Sequence, residues 1–575
     1  MSGQAFLTRA AVVAELTRPG GPFEIRTTEI GGVPMRVYAH APASLRDVLL
    51  DSRAFGEREF LIYQDERWSY EAHFRRVAAL AHLLTERGVR CGDRLAIGMR
   101  NYPEWVMAFW ACQAIGAVAV TLNAWWTGEE LEYALTDSGA CAAVLDGERV
   151  QRLEPYLDKL PLRTVLGVRD AVGSPRVEPL DAVLLPYEGH ALSERLPEAD
   201  IGPDDPATIM YTSGTTGHPK GAVASQRNHV TNISNSLLAG AVGARLAALA
   251  SPAAAAPRDV ATAPPQAVGL QTFPFFHIGG LSGLYVMTAM GAKLALMYRW
   301  DAAEALQLVQ TEGINSLSGV PTVVRQLLEL ARDQGLTLPT LGGISSGGAP
   351  VPPDLIDTIG SQFQQRVAPA NGYGLTETTS AVISNGGQDY FDRPHSVGRP
   401  VVVADVQVVA DDGAVLGDGE VGEIWIRGPN VVQGYWNKPE ATAEAFTDGW
   451  FHSGDLGYRD EAGFYYVVDR KKDVVIRGGE NVYCAEVEAV LFHHPDVLDV
   501  AIIGLPHREL GEEVVAVVEP RPGKQPAGND IQAFVAARLA RFKVPSQVIF
   551  SDEPLPRTAT GKVLKRELKD RYTQR

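Results

Sequence analysis

One eleven-residue segment carries side chains suited to phosphate chemistry. It reads Tyr211-Thr-Ser-Gly-Thr-Thr-Gly-His-Pro-Lys-Gly221. Its glycines permit tight backbone turns, while its hydroxyl groups and the Lys220 ammonium can contact phosphate oxygens. A Walker A loop requires Gly-Lys followed by Ser or Thr, and here the Gly-Lys pairs ending at Lys524 and Lys562 precede Gln and Val. The segment therefore predicts a nucleotide-phosphate site of another kind.

Four further motifs follow it along the chain: Ser346-Gly-Gly-Ala-Pro350, Asn371-Gly-Tyr-Gly-Leu-Thr-Glu377, Trp450-Phe-His-Ser-Gly-Asp455 and Pro556-Arg-Thr-Ala-Thr-Gly-Lys562. A carboxylate beside a triphosphate is a usual Mg²⁺ ligand, and a second one can bond ribose hydroxyls. A lone Gly-Asp pair usually marks only a turn, and a terminal lysine is usually a solvated charge. Together and in this order, however, the five motifs resemble those of the adenylate-forming superfamily. That superfamily includes acyl-CoA synthetases, luciferases and peptide-synthetase adenylation domains.

The resemblance implies an ATP site and assigns roles within it. Tyr373 would stack on adenine, Thr376 would contact the α-phosphate, and Glu377 would help to hold Mg²⁺. Asp455, helped by Arg470, would bind the ribose. The full set of expected ATP- or AMP-binding residues is Thr212, Ser213, Gly214, Thr215, Thr216, Gly217, Lys220, Gly347, Gly348, Ala349, Pro350, Asn371, Gly372, Tyr373, Gly374, Asp455 and Arg470. The expected catalytic residues are Thr376, Glu377 and Lys562, with Lys562 bridging the attacking carboxylate and the α-phosphate.

The resemblance also implies a second, thiol-dependent step. No cysteine lies in an activating motif, so coenzyme A is the expected thiol. The family's hinge position matches Lys472, about which the C-terminal domain would swing between the two steps. Gly478, Gly479 and Glu480 would then line the passage for pantetheine. An ordinary charged surface residue is as good an interpretation of Lys472 as a hinge residue.

An aromatic segment indicates the kind of acid. Gln271-Thr-Phe-Pro-Phe-Phe-His277 resembles the substrate-side motif, and His277, Val320 and Thr322 are expected to line or gate the acyl pocket. Peptide-synthetase adenylation domains usually place an Asp here to hold an amino group, whereas this segment is rich in Phe. The acid is therefore expected to be apolar, either fatty or bulky aryl or alicyclic.

Alternating strand and helix patterns must position these motifs. Thr127-Gly-Glu-Glu130 is a capping box that opens a helix, and residues 142–146 then form a strand-like run. Such alternation predicts doubly wound α/β subdomains with ligands at the carboxyl ends of strands. After about residue 398 short strands, the first expected over residues 401–409, and turns predict a β-rich subdomain, and a small mobile α+β domain follows. We expect an adenylation domain over residues 1–469 and a C-terminal domain with the catalytic lysine over 470–575.

Composition excludes several classes of function. The 575 residues include 52 Lys and Arg and 69 Asp and Glu, giving a net charge of −17, which argues against general nucleic-acid binding. The four cysteines form no C-x-x-C pair, so a disulfide framework is not expected and a cytoplasmic location fits best. The uncharged run over residues 105–122 reads as a buried helix and strand rather than a membrane span. The Ala- and Pro-rich residues 239–265 are expected to form a flexible surface insertion.

These features favour an AMP-forming acyl-CoA ligase that uses ATP, Mg²⁺ and coenzyme A. Two alternatives remain open: an adenylating enzyme that loads a carrier-protein thiol, and a catalytically silent relative that only binds nucleotide or acyl chains. Retention of Lys220, Glu377, Asp455 and Lys562 argues against the silent relative. The sequence leaves open the identity of the acid and the oligomeric state, a homodimer included.

Overall fold

A computed structural model of the chain describes residues 8–171, 174–212, 219–250, 265–349, 351–363, 366–558 and 561–573. Its α-helices are α1 (Arg9–Thr17), α2 (Leu45–Ser52), α3 (Tyr70–Glu86), α4 (Pro103–Ala114), α5 (Gly128–Ser138), α6 (Gly147–Leu153), α7 (Leu180–Leu184), α8 (Gln226–Ala250), α9 (Ile278–Ala289), α10 (Ala302–Thr311), α11 (Pro321–Asp333), α12 (Pro353–Gln362), α13 (Gln388–Asp392), α14 (Pro439–Ala445), α15 (Cys484–Leu491), α16 (Gly528–Ala536) and α17 (Lys565–Thr573).

Its strands are β1 (Ile25–Ile30), β2 (Val33–Tyr38), β3 (Glu59–Tyr63), β4 (Glu66–Ser69), β5 (Arg94–Gly98), β6 (Val118–Thr121), β7 (Ala142–Asp146), β8 (Thr164–Val168), β9 (Glu178–Pro179), β10 (Pro206–Thr212), β11 (Lys220–Ser225), β12 (Val268–Gln271), β13 (Lys293–Leu296), β14 (Ser316–Gly319), β15 (Gly343–Gly347), β16 (Ala368–Leu375), β17 (Ser380–Gly386), β18 (Arg399–Pro400), β19 (Asp405–Val409), β20 (Gly422–Arg427), β21 (Phe446–Thr447), β22 (Trp450–Arg459), β23 (Tyr465–Arg470), β24 (Val475–Arg477), β25 (Glu480–Val482), β26 (Val497–His507), β27 (Gly511–Pro520) and β28 (Gln547–Phe550).

Two mixed sheets form the centre of the larger part of the chain. The first has the order β11-β10-β6-β5-β7-β8-β9, and all its pairs are parallel except β10 with β11. The second has the order β18-β17-β16-β15-β14-β12-β13-β3-β4, with a parallel centre running from β16 to β3. One buried cluster joins the sheets, since it contains Leu95 of β5 and Leu294 of β13. The α/β fold class expected from the sequence is confirmed.

The local patterns that predicted this alternation match the elements closely. The Thr127 side chain caps α5 through the expected box with Glu130, and Gly139, at φ 62°, ends the helix. Helix α4 is buried along its whole length, and the buried parallel strand β6 follows it. The uncharged run over residues 105–122 is thus a core helix and a core strand. Within the described residues, none of the helices combines the length and the apolarity that a bilayer crossing requires.

Two expectations from composition need correction. Helix α8 continues to Ala250, so the first part of the supposed flexible insertion over residues 239–265 is helical, while residues 251–264 lie outside the described residues. Alanine is the strongest helix former, and here its propensity decided the conformation. The strand expected over residues 401–409 begins only at Asp405, because the N–H of Ala404 donates to the carbonyl of Val401 in a turn.

A third sheet, made of β19 to β23, forms the β-rich part, and a fourth, made of β24 to β28, belongs to the C-terminal part. The fourth sheet buries both faces. Along β26, Val500 and Ile502 pack in one cluster with residues of α15 and α16, while Ala501 and Ile503 pack in another with Leu568 of α17. This alternation gives the C-terminal part hydrophobic clusters of its own.

Candidate active site

Two of the sequence motifs lie on neighbouring parallel strands of the nine-stranded sheet, β15 and β16. Gly347, at the end of β15, pairs with Gly372 of β16. A Cβ atom on Gly347 would lie 3.0 Å from the Gly372 carbonyl oxygen, and Gly348 adopts φ +76°. Larger residues would push these strand ends apart or strain the turn, so the two glycines keep a close-fitting platform. Ala349 follows on the same turn, and Pro350 lies outside the described residues.

Asp455 is the centre of a three-residue cluster. It lies opposite Arg470 on the antiparallel strands β22 and β23, and Arg470 Nε is 2.8 Å from its Oδ1. The Tyr373 hydroxyl donates to Oδ2 of Asp455 over 2.7 Å. Burial raises the pKa of Tyr373, and the neighbouring carboxylate raises it further, so the phenol stays a donor. The three groups that the sequence assigned to adenine and ribose are therefore brought together.

Glu377 lies in a second cluster, with a residue that the sequence analysis missed. The Tyr435 hydroxyl donates to Oε1 of Glu377 over 2.8 Å, and Lys220 Nζ lies 5.3 Å from the centre of the Tyr435 ring. Burial raises the pKa of Glu377, whereas this hydrogen bond lowers it. Tyr435 reaches the site because the segment around it pairs with the outer edge of β11: the Val223 N–H donates to the Gly434 carbonyl, and Ala222 bridges Tyr435.

The remaining phosphate-segment residues are only partly described. Thr212 ends β10, and its hydroxyl donates to the Lys220 carbonyl over 3.4 Å. Ser213, Gly214, Thr215, Thr216 and Gly217 lie outside the described residues. Asn371 and Gly374 belong to β16, with Asn371 paired to Ser346, and Thr376 begins a short 3-10 turn that includes Glu377. Both ends of the phosphate segment thus stand at strand termini beside Glu377.

Lys562 approaches the same site from the C-terminal part of the chain. Its backbone N–H donates to the Thr558 hydroxyl over 3.1 Å, and Gly561 turns the loop at φ +80°. Burial and the nearby Arg470 lower the pKa of Lys562 to about 8, while Asp455 acts in the opposite direction. A lysine so placed can stabilise negative charge on the substrate and is poised near neutral pH.

A cavity of about 270 Å³ adjoins this loop. Val320 and Thr322 line it, as expected, and so does Gly561, the residue before Lys562. His277 is not among its described lining residues. It caps α9 by accepting the Gly279 N–H at Nδ1 and stacks on Phe273, which does line the cavity. Burial lowers the pKa of His277 to about 4, so the ring is neutral at physiological pH.

Of the residues expected to act in the thiol step, Lys472 lies near the Asp455 cluster, whereas Gly478, Gly479 and Glu480 form a separate hairpin. Lys472 is exposed in the turn between β23 and β24. Gly478 and Gly479 have φ +60° and +87° and form the two-residue turn of the β24–β25 hairpin, with Glu480 exposed beside them. Glycine is the residue that such a turn requires. In the described part of the chain the C-terminal wall of the cavity is formed by residues of the Lys562 loop, not by this hairpin.

The metal-ligating side chains of the site suit a metal ion that binds together with the phosphates of a nucleotide better than one that the protein holds alone. No group of three or more metal-ligating side chains occurs among the described residues. Glu377 nevertheless offers one buried carboxylate, with Oε1 accepting from Tyr435. Mg²⁺ is commonly held by one or two carboxylates together with substrate phosphates and water, so a single carboxylate beside a phosphate segment is compatible with it.

Models of known families match most of the chain. A model of the AMP-binding enzyme family matches residues 50–436, and one of the AMP-binding enzyme C-terminal domain matches residues 486–562. A feruloyl-CoA synthase of Amycolatopsis is 36% identical over 506 residues, which cover 88% of this chain and 94% of that protein. A long-chain-fatty-acid–CoA ligase of Mycobacterium tuberculosis is 33% identical over 517 residues, again covering 88% and 94%.

Solved structures match over the same length. The o-succinylbenzoate-CoA synthetase of Bacillus subtilis, in complex with its acyl-adenylate intermediate, superposes with a TM-score of 0.76 at 30% identity. The match covers 91% of this chain and 98% of that one. Both the larger part and the C-terminal part therefore have counterparts in a single known architecture.

Proposed function

The chain belongs to the AMP-binding enzyme family, and from this membership we propose that it is an AMP-forming acyl-CoA ligase acting on an acid with an apolar body. The reaction would convert a carboxylic acid and ATP to acyl-AMP and pyrophosphate, and then transfer the acyl group to coenzyme A with release of AMP. One observation supports it above the others. The half-buried Lys562 lies close enough to the Asp455–Arg470 pair for both charges to act on its pKa, while its neighbour Gly561 lines the cavity.

In the first step a carboxylate oxygen attacks the α-phosphorus, the new O–P bond forms, and the bond to pyrophosphate breaks. Little covalent chemistry falls to the protein, which must position two anions and stabilise the charge that develops between them. Lys562 is the group best placed to do so from the cavity side. Lys220 and Thr376 lie on the phosphate side, next to Glu377.

The nucleotide would be held by the Asp455 cluster. Tyr373 offers a ring for the adenine, and its hydroxyl orients the Asp455 carboxylate. Arg470 holds the other carboxylate oxygen, so the negative charge of Asp455 is paired before ribose binds. Glu377 would hold Mg²⁺, which supplies positive charge to the phosphate oxygens when it is bound.

The second step requires a thiol from outside the chain. Cys112 and Cys484 are buried, and burial raises the pKa of both thiols, which is the opposite of what a nucleophile needs. The thiol of coenzyme A would attack the acyl carbonyl and displace AMP. Residues 470–575 would turn as a domain about Lys472 and bring Gly478, Gly479 and Glu480 to the passage, while residues 1–469 keep the nucleotide. Unlinked cysteines and the use of ATP support a cytoplasmic location.

The acid remains to be assigned, and the relatives differ in this respect. Their names specify feruloyl, long-chain fatty and o-succinylbenzoyl groups. Phe273, Pro274 and Phe276 line the cavity here, and they favour an apolar body. The cavity lies slightly below the ~300–1,000 Å³ of drug-sized sites, which favours a compact aryl or alicyclic acid over a long chain.

The test is pyrophosphate release across a panel of aryl, alicyclic and fatty acids, with and without coenzyme A. We expect ATP-dependent pyrophosphate release with a subset of acids and thioester formation when coenzyme A is added. Lys562→Ala should abolish the first step, while thioester formation from supplied acyl-AMP largely survives. Acylation of a carrier protein in place of coenzyme A would contradict the proposal, and so would ATP binding without turnover of any acid.

A further inference from the structure

The cavity beside Lys562 has a cationic side that the proposed reaction does not explain. Arg100, Arg299 and Arg557 line it, and no carboxylate does so within the described part of the chain. This is unexpected in a protein whose net charge is −17. Arg557 is neutralised by a salt bridge to Asp499, which leaves Arg100 and Arg299 as the cations without a carboxylate on the cavity wall.

Two aromatic rings hold the Arg100 side chain in a position where it can bind an incoming anion. Its guanidinium lies 5.2 Å from the centre of the Trp125 ring and 5.6 Å from that of Tyr298, both cavity-lining residues. Its Nε is buried and has no hydrogen-bond partner among the residues that the structure describes. Because almost all buried donors in proteins are paired, such an orphan calls for an explanation. Aromatic rings on the guanidinium supply no acceptor in the plane of its N–H groups, so they do not satisfy Nε, and an oxyanion could.

The backbone around Arg100 is also fixed. Its N–H donates to Oδ2 of Asp146 over 3.2 Å. The side chain of the next residue, Asn101, donates to the Phe273 carbonyl over 3.0 Å and accepts the Phe275 N–H over 2.9 Å. The arginine is therefore tied to the aromatic segment that forms the apolar part of the cavity.

The topology explains why these groups meet. Arg100 and Trp125 follow β5 and β6 of the seven-stranded sheet, whereas Phe273, Tyr298 and Val320 follow β12, β13 and β14 of the nine-stranded one. The cavity thus lies between the carboxyl ends of parallel strands from both sheets, the usual position of ligands in such folds. Its outer wall is Gly561, so it is complete when Lys562 is seated for the first step.

From these observations the geometry points to an acid substrate with two ends: a compact apolar body that carries the reacting carboxylate, and a second anionic group that Arg100 binds, with Arg299 also on the cavity wall. This inference rests on the proposed function, since it treats the cavity as the acid site. A second carboxylate is the group whose charge and two oxygens match a guanidinium. A fatty acid with a methyl terminus would leave Arg100 without its partner.

Matched pairs of acids test the inference, with pyrophosphate release measured in the absence of coenzyme A. Each pair shares a body and differs in the second carboxylate: o-succinylbenzoate against benzoylpropionate, and suberate against octanoate. We expect the wild-type enzyme to have a kcat/KM at least about tenfold higher for the dianionic member of at least one pair, the order of one charge-assisted hydrogen bond. Arg100→Met should reduce that preference to near unity, and Arg100→Lys should restore part of it.

A matched control is Arg332→Met, which removes an exposed arginine that pairs with Asp333 and does not line the cavity in the described part of the chain, and it should leave the preference unchanged. Thermal unfolding and AMP binding of each variant show that it is folded. Equal use of both members of every pair would overturn the inference while leaving the proposed function intact. An Arg100→Met effect confined to the KM of coenzyme A would overturn it too, because it would assign the arginine to the phosphates of that cosubstrate. If no acid released pyrophosphate at all, the proposed function itself would fail.

Discussion

Tyr435 donates its hydroxyl to Oε1 of Glu377, and the same ring lies beside the Lys220 ammonium. The residue thus links the carboxylate expected to hold Mg²⁺ with the lysine of the phosphate segment. No sequence motif singles it out. Its role follows from the pairing of the Gly434 segment with β11, which carries the ring to the site.

We predict that Tyr435→Phe lowers adenylation by about tenfold, since a buried carboxylate loses a hydrogen bond worth about 1.5–3 kcal/mol. The variant should also require a higher Mg²⁺ concentration, because loss of the bond raises the pKa of Glu377 further. Pyrophosphate release, measured over a range of Mg²⁺ concentrations, gives both the rate of adenylation and the Mg²⁺ requirement. Tyr466→Phe is the matched control, because it removes a hydroxyl that donates to Asp460 Oδ2 over 3.1 Å away from these residues. Equal effects of the two substitutions would contradict the role of Tyr435.

A second prediction concerns the pH dependence of the first step. Burial and Arg470 lower the pKa of Lys562 to about 8, whereas a free lysine titrates near ~10.4. The protonated ammonium is the form that stabilises phosphate oxygens, so kcat/KM for adenylation should fall as the pH rises through about 8. Lys562→Arg keeps its charge at higher pH. It should therefore be slower and lack this alkaline limb, and a limb that persists in this variant would assign the titration to another group.

A third prediction concerns Asp455. If it binds the ribose, Asp455→Asn should raise the KM for ATP by about tenfold or more, because Arg470 loses its carboxylate and the ribose loses charge-assisted acceptors. The wild-type preference for ATP over deoxyATP should shrink in the variant. Asp418→Asn, which breaks the exposed pair with Arg459, serves as the control. An unchanged preference for ATP would place the ribose elsewhere.

The fourth prediction concerns stability of the C-terminal part. Lys565 Nζ lies 2.7 Å from Oε1 of Glu488. Burial alone would lower the pKa of Lys565, but the carboxylates of Glu488 and Asp469 raise it. Lys565→Met would leave these partly buried carboxylates without their cation, at a cost of about 3–5 kcal/mol.

Denaturant unfolding checks this cost, with Lys569→Met on the same helix as the control. Asp469 also accepts the Ala485 N–H at the start of α15, over 3.3 Å. The network therefore joins the end of β23 to the C-terminal helices. An unchanged unfolding midpoint for Lys565→Met would show that the ion pair contributes little.

Much of this molecule follows from its sequence, because local signals and tertiary context agree. The capping box at Thr127, the buried run before Leu122 and the order of the motifs all predict elements that the structure contains. The Asp455 cluster forms because cross-strand neighbours on β22 and β23 must face each other. The spacing of residues along the chain was enough to predict these features where the interacting residues lie on paired strands or in the recognised motifs.

The rest depends on contacts that spacing does not encode. Tyr435 lies far along the chain from Glu377, and Arg100 meets Tyr298 only because two separate sheets end at the same place. The Phe-rich segment predicted an apolar acid, and it could not reveal the arginine that lines the same cavity. Likewise, His277 looked suited to the pocket, but its side chain serves the N-terminus of α9.

Gly561 forms a wall of the acid cavity, and the lysine that follows it faces the nucleotide cluster. Two consecutive residues, Gly561 and Lys562, would therefore lie at the proposed sites of two different substrates, the acid and ATP. Under the proposed function, an acid that fills the cavity would contact the same short loop that carries the lysine, whereas water would leave the loop without that contact. Such an arrangement would make adenylation depend on the presence of the correct acid, and it would limit hydrolysis of ATP in the absence of that acid.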